Sequence, residues 1–250
     1  MRGRADMRGA FWVGLGAAAA LVVAVAACKK ASDGPAPSAT PAPVPSPRVQ
    51  KSGLSVRSEI GALDPDAAKK AVEAAMPSIR ECVARPRRKM PYFGGDVETV
   101  LRIDASGKVA WAHFQRSDLG DVEAERCVLD ALARQAWPKP EDADAGEARQ
   151  SLELRASEDE RPPTAWGESD LGDAGAKLVA ALESCRAQSG TAGLRATFYV
   201  DPRGAVMTVG VATEDEKGLA AVDCAVKAVR AQTYPTPGSY PAKVSVGVGR

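Results

Sequence analysis

Five cysteines and one histidine are the residues of this 250-residue chain whose chemistry is most constrained by number and spacing. Cys28 stands apart, and the other four fall as Cys82 with Cys127 and Cys185 with Cys224. No Cys-x-x-Cys occurs, so the spacing argues against a zinc ribbon and against a thioredoxin-like redox pair. In an exported protein, paired cysteines of this kind form disulfides. His113 is the single histidine. A Ser-His-Asp triad therefore has one base to draw on, and a two-histidine zinc site within the chain is excluded. His113 lies in a strand pattern, where a packing or surface role is the simplest reading. Carboxylate pairs remain open, but no fixed spacing singles one out, and the chain is expected not to be an enzyme and to need no cofactor or metal.

The elements that position these cysteines repeat. Ile103-Asp104, Gly107, Val109, Cys127 and Trp137-Pro138-Lys139-Pro140 return as Val200-Asp201, Gly204, Val206, Cys224 and Tyr234-Pro235-Thr236-Pro237 at a constant offset of 97. Counted from Val97 and Leu194, 10 of 44 pairs are identical, and they include the turn, the cysteine and the Pro-x-Pro, where backbone physics restricts the choice. Two copies of one small module are expected. Of the three pairings open to four cysteines, only Cys82–Cys127 with Cys185–Cys224 treats the repeats alike and keeps each module self-contained. Against it, a helical wheel puts Cys127 and Cys224 away from the Val/Leu stripe, on an alanine-lined face with Ala124, Ala131, Ala221 and Ala228. The pairing requires that this second face meet the first helix of the module.

Within module one, Asp64-Pro65 starts a helix. Its buried face is Ala68, Val72, Ala75, Ile79 and Cys82, it runs to about Val83, and Pro77 should bend or divide it. The alternation Val97, Thr99, Leu101, Ile103 reads as a strand, with Val109–Phe114 its return partner across the turn Asp104-Ala105-Ser106-Gly107. Asp104 is read as a turn residue rather than a catalytic carboxylate, because Asp201 repeats it with Gly204. A helix over Val122–Ala136 ends at the Trp-Pro-Lys-Pro exit, an acidic loop over Glu141–Glu147 follows, and Ser151–Arg155 closes the sheet. Module two repeats the plan, with a helix whose apolar face carries Leu178, Leu182 and Cys185 and strands at Leu194–Val200 and Val206–Val211. Its second helix has a stripe of Leu219, Val222, Val226 and Val229, and its closing strand carries Val244, Val246 and Val248. Each module thus reads helix, strand, strand, helix, strand. The fold class is α+β, two tandem two-layer sandwiches, each an antiparallel three-stranded sheet with both helices on one face.

The domain plan is a leader over 1–27, a tether over 28–57, module one over 58–156, a linker over 157–165 and module two over 166–250. Arg2, Arg4 and Arg8 precede the apolar run Phe11–Ala27, which ends in Val25-Ala26-Ala27-Cys28 before Lys29-Lys30. This resembles a bacterial lipoprotein signal peptide, which implies a lipid on Cys28 as the mature N-terminus. The alternative is a retained anchor, for which 17 residues is at the short limit of a span. Residues 31–47 are mostly Pro, Ala and Ser, an extended tether. The formal charge is +1, and removing residues 1–27, which carry +2, leaves −1. No concentrated basic surface results, so a nucleic-acid partner is not expected.

The modules resemble the C-terminal domain of the TonB superfamily, in particular the branch found in myxobacterial gliding-motility proteins of the AgmX/PglI type. The carrying residues are Ile79-Arg80-Glu81-Cys82, Ile103-Asp104 with Gly107 and Val109, Val122-Glu123, Arg126-Cys127-Val128 and Trp137-Pro138-Lys139-Pro140. Repeat two is similar but looser, with Tyr234 for the tryptophan. The resemblance implies an envelope complex and partner peptides held along a sheet edge, and supplies no catalytic residue. The expected function is a lipid-anchored binding or adaptor protein at the periplasmic side of the outer membrane. Its partner is expected to be an envelope protein or a wall component. A force-transmitting TonB-like component and a periplasmic enzyme of another type are the alternatives. Candidate partner-binding residues are the closing-strand positions Val244, Val246 and Val248 and the basic run Arg85, Arg87, Arg88 and Lys89. Edge-strand pairing between modules, or between two copies of the chain, is the competing use of the same strand. If Cys28 carries the lipid, a fatty-acid analogue fed to expressing cells labels the protein, and Cys28→Ser abolishes the label; a labelled Cys28→Ser protein refutes the assignment.

Overall fold

The structure, a computed structural model, describes residues 54–57 by their backbone and 62–249 in full. The leader, Cys28 and the Pro-rich tether lie outside the described residues. Both hairpins are built around the repeated Asp-x-x-Gly turn. Asp104 Oδ1 accepts from the N–H of Ser106 at 2.8 Å and of Lys108 at 3.0 Å, and Asp201 Oδ1 accepts from Arg203 at 2.8 Å and Ala205 at 2.9 Å. The hydrogen bonds from Ser106 and Lys108 hold the Asp104 carboxyl below its ordinary range, as those from Ala205 and Arg203 hold Asp201. Gly107 and Gly204 sit at φ +83° and +86°, and a Cβ there would meet the carbonyl of Trp137 or Tyr234. Glycine is thus required twice over, by the turn and by the close passage of the exit segment.

Module one contains β1 (Leu54–Arg57), α1 (Pro65–Arg87), β2 (Gly95–Asp104), β3 (Val109–Ser117), α2 (Val122–Ala133) and β4 (Ala145–Leu154). Module two contains β5 (Thr164–Trp166), α3 (Asp173–Ser189), β6 (Gly193–Val200), β7 (Val206–Thr213), α4 (Val222–Arg230) and β8 (Ala242–Gly249). The fold is α+β. The sheets run β1-β4-β2-β3 and β5-β8-β6-β7, antiparallel throughout except for the parallel pair β5–β8. Each sheet thus has four strands, one more than the alternation indicates, and the extra strand falls on the edge where an open closing strand was expected. The boundaries shift accordingly: β1 precedes residue 58, and β5 begins inside the 157–165 linker.

α1 starts where Asp64 accepts from the N–H of Asp66 and Ala67, with Pro65 in the first turn. It remains one helix of 23 residues through Pro77. Pro77 and Glu73 are both exposed, so the carbonyl that proline leaves unpaired is open to water. The helix also runs on to Arg87, so Arg85 and Arg87 form its last turn instead of a solvated loop. In module two the Leu219/Val222/Val226 stripe does not supply the core face. Leu219 is 41% exposed in a 3-10 turn, and the buried face of α4 is Ala225 and Val229, with Ala221 just ahead of it.

The disulfides are Cys82–Cys127 and Cys185–Cys224, with Cα–Cα distances of 5.6 and 5.8 Å. The small residues beside Cys127 and Cys224 let each second helix approach the first. Trp137 Nε1 and Tyr234 OH close the exits in the same way, donating to the carbonyls of Leu132 and Val229. Each bridge closes a loop of 45 or 39 residues, so Cys82→Ala/Cys127→Ala should lose about 4 kcal/mol at most in the chain-entropy model. Urea unfolding measures the loss. Four free thiols in the unreduced mature protein, or a bridge between modules, would overturn the pairing.

Candidate binding cleft between the modules

The two repeats pack as one unit through positions that are equivalent in sequence. Arg126 Nη2 lies 2.7 Å from Asp223 Oδ1, and a pocket beside this pair is lined by Val122 and Leu219 and by Glu125 and Val222. Each of these pairs is 97 residues apart. Equivalent positions thus meet along this seam, but the contact is one-sided: Val222, the equivalent of Glu125, has no carboxyl, and Tyr199 and Ala212 enter the core of module one with no counterpart in the core of module two.

At its centre Glu125 is buried. Ser117 Oγ donates to its Oε1 at 2.5 Å, and the β7 amide of Val211 donates to its Oε2 at 2.8 Å. Burial pushes the Glu125 carboxyl up to about 8, against the pull of the Ser117 and Val211 hydrogen bonds. His113, also buried, lines the same pocket with neither ring nitrogen hydrogen-bonded, and burial pushes its pKa down. Enclosed in this way, the one histidine is a packing residue between modules. The face of β6 and β7 turned away from α3 and α4 completes the contact. Tyr199 and Ala212 join the core of module one, and Thr197 Oγ1 donates to the Ser117 carbonyl at 3.1 Å.

Alongside this interface lies an open cleft of about 720 Å³. Module one supplies Tyr92, Asp96, Asp118 and Arg155; the linker supplies Glu158, Glu160, Pro162 and Pro163; module two supplies Trp166, Lys243 and Ser245. Asp96 is held by the fork of Arg155, at 2.8 and 2.5 Å, and the Arg155 hydrogen bond lowers its pKa. Lys243 Nζ donates to the Gly94 carbonyl at 2.8 Å and lies over the Tyr199 ring, and burial lowers its pKa. Sequence reasoning missed this cleft because its walls come from three separate segments. The proline pair followed by Trp166 at the linker is the one local signal; Tyr92 lies in the middle of module one.

The sequence-derived candidates divide. The closing strand β8 is not a bare edge: β5 pairs Thr164 to Ala242, Ala165 to Lys243 and Trp166 to Val244. Val244 and Val246 are buried in the core of module two, and Val248 packs partly against it. What reaches the open edge is backbone. Thr164 N–H donates to the Pro241 carbonyl, so by the alternation of a strand the N–H and C=O groups of Lys243, Ser245 and Gly247 point to the β5 side, where β5 covers Lys243 and ends before Gly247. Among the described residues no strand pairs with the outer side of β8 beyond Val244. In the basic run, Arg87 is a structural clamp: its guanidinium donates to the carbonyls of Phe93, Leu154 and Arg155. Arg85, Arg88 and Lys89 are exposed, and none of the four lines the cleft.

Among the described residues no helix is long and apolar enough to cross a membrane, and no group of three or more His, Cys, Asp or Glu side chains is placed to hold a metal ion. No protein-family model, curated protein or solved structure matches the chain.

The Glu125 geometry yields a pH dependence. Its folded pKa, about 8, is raised from 4.5, so its stabilising contribution is complete below pH 4.5 and is lost as pH rises towards 8. Glu125→Gln keeps a carbonyl acceptor for Val211 and puts a neutral amide against Ser117 Oγ, without the charge. Relative to the parent, this variant should gain about 3 kcal/mol between pH 5.5 and pH 8. Urea unfolding at the two pH values checks it, and a difference that does not change with pH refutes the burial of an ionisable carboxyl there.

Proposed function

We propose that this chain is a non-catalytic, lipid-anchored cell-envelope protein that binds an extended segment of a partner by strand addition to β8. On this reading each module is a two-layer sandwich of the TonB C-terminal type, the lipid is on Cys28, and the modules stand at the periplasmic side of the outer membrane. The observation that carries the binding role is the half-covered β8 edge opening onto the inter-module cleft. The three-residue β5 ends at Trp166, and Ser245, the next outward-facing position, lines the cleft. An unpaired row of N–H and C=O groups is a template for an added strand, and a cleft beside it gives side chains somewhere to go. The repeated order of elements and the shared cores of α1/α2 and α3/α4 with their sheets support the sandwich description.

The other edge candidate, β4, is covered over Glu147–Gln150 by β1 and carries Glu153 and Arg155 beyond, charges that oppose indiscriminate pairing. Hydrogen exchange on the mature protein tests the proposal. In the free monomer the Gly247 amide should exchange quickly while its neighbours Val246 and Val248, bonded to β6, are protected, and a partner recovered by crosslinking should slow Gly247 and leave Val246 and Val248 unchanged. Slow exchange at Gly247 in a proven monomer, unchanged by the partner, would remove the strand-addition reading. Slowing that depends on protein concentration without any partner would assign the edge to self-association.

A further inference from the structure

We infer that the cleft selects an extended peptide with basic side chains at alternate positions, Lys or Arg at i and i+2 with apolar residues between. This rests on the reading that β8 accepts a strand, and adds the chemistry of what is accepted. Lys243 and Ser245 are the register partners of Tyr199 and Thr197, whose side chains point to module one, so the cleft lies on that face of the β8 edge. Side chains of an added strand alternate between faces. Every second one therefore projects into the cleft, and the others project over the helix-covered face beside Val246 and Val248, which favours apolar residues there.

Charge complementarity decides what the inward-facing side chains are. The lining holds four carboxylates, Asp96, Asp118, Glu158 and Glu160, against two cations, Arg155 and Lys243. The two cations are already committed, Arg155 to the Asp96 carboxylate and Lys243 to the Gly94 carbonyl. Asp118 holds Arg116 at 3.1 Å. Glu158 and Glu160 are exposed, and neither forms an ion pair among the described residues. The charge left for a ligand is thus negative, and it stands beside the aromatic faces of Tyr92 and Trp166, which attract cations through the ring quadrupole. Within the lining a peptide carboxylate would meet these glutamates with both lining cations already engaged; Arg195, beside Gly247 and outside the lining, is the exposed cation at the far end of the edge.

The test uses the purified mature lipoprotein in detergent and three fluorescent probes, Lys-Val, Ser-Val and Glu-Val repeats of equal length, read by polarisation. The basic probe should bind about tenfold more tightly than the neutral one, the acidic probe more weakly still, and added salt should narrow the gap. Glu158→Lys/Glu160→Lys, at exposed positions that leave the fold intact, should abolish the preference or reverse it. Gly247→Pro, which removes an outward-facing N–H, should weaken all three probes. Probes N-methylated on alternate residues report the same loss without altering the protein. Equal binding of the three probes, still lost on N-methylation, overturns the selection for basic residues and leaves the edge reading standing. Binding unaffected by N-methylation and by Gly247→Pro overturns the edge reading itself, and binding to none of the probes overturns the inference.

Discussion

The architecture depends on one carboxyl group that reaches from one repeat into the other. Glu125 of α2 takes the N–H of Val211 that a further strand beside β7 would otherwise have to satisfy, so the edge of the second sheet ends against the first module. A Cβ on Gly210 would collide with this carboxyl group and with the Asp121 amide, which is why that position of β7 has none. The approach is one-sided, since Val222, the equivalent of Glu125 in the second repeat, has no carboxyl to return the contact. The shared apolar contacts of Tyr199, Ala212 and Met207 follow from it, and so does the cleft, which is the space the two sheets leave where they diverge towards the linker.

Within each repeat the constraint is different. A module of fewer than 100 residues buries a limited core, and both copies offset this with the same set of devices. A disulfide ties the two helices, a glycine lets the exit segment pass over the hairpin turn, and an aromatic residue hydrogen-bonds back to the end of the second helix. That Tyr234 OH reproduces the contact made by Trp137 Nε1 shows what the position requires: a flat apolar body with a donor at its tip. The looser likeness of the second repeat is thus a likeness of physical role more than of residue type.

This is also why the modules were legible in the sequence and their association was not. The turns, cysteine pairs and Pro-x-Pro exits are local, and each is restricted by backbone geometry, so the 97-residue offset exposes them. Strands β1 and β5 have four and three residues, too short for any periodicity, and β5 follows Pro162-Pro163, which reads as linker. The interface is invisible for another reason. Its residues, Ser117, Glu125, Thr197 and His113, are types that alternation assigns to solvent, and only the three-dimensional approach of the second module buries them. A trace of this does exist in β6, where Ala196 through Val200 are all buried, a continuous stretch where a one-faced strand would alternate. The helix α4 misled in the opposite sense, since its valines Val222 and Val226 are only half-buried and the alanine face carries the core.

An edge strand left open invites indiscriminate pairing, and the way this chain limits that risk bears on the proposed use of the edge. The open half of β8 contains Gly247 and ends in Gly249, residues that contribute no side chain to a cross-strand pair and weaken a strand. The apolar alternation that makes the strand attractive, Val244, Val246 and Val248, is turned into the core of its own module. A passing strand is offered only backbone groups, and from a short stretch. Any additional hold on it has to come from its alternate side chains in the neighbouring cleft, where the walls are charged and aromatic. On the proposed reading, backbone pairing supplies a weak, sequence-independent contact, and the choice of partner falls to residues contributed by the first module and the linker. The second module presents the edge, and the strand addition we propose would need both modules held in register, as the buried Glu125 contact holds them.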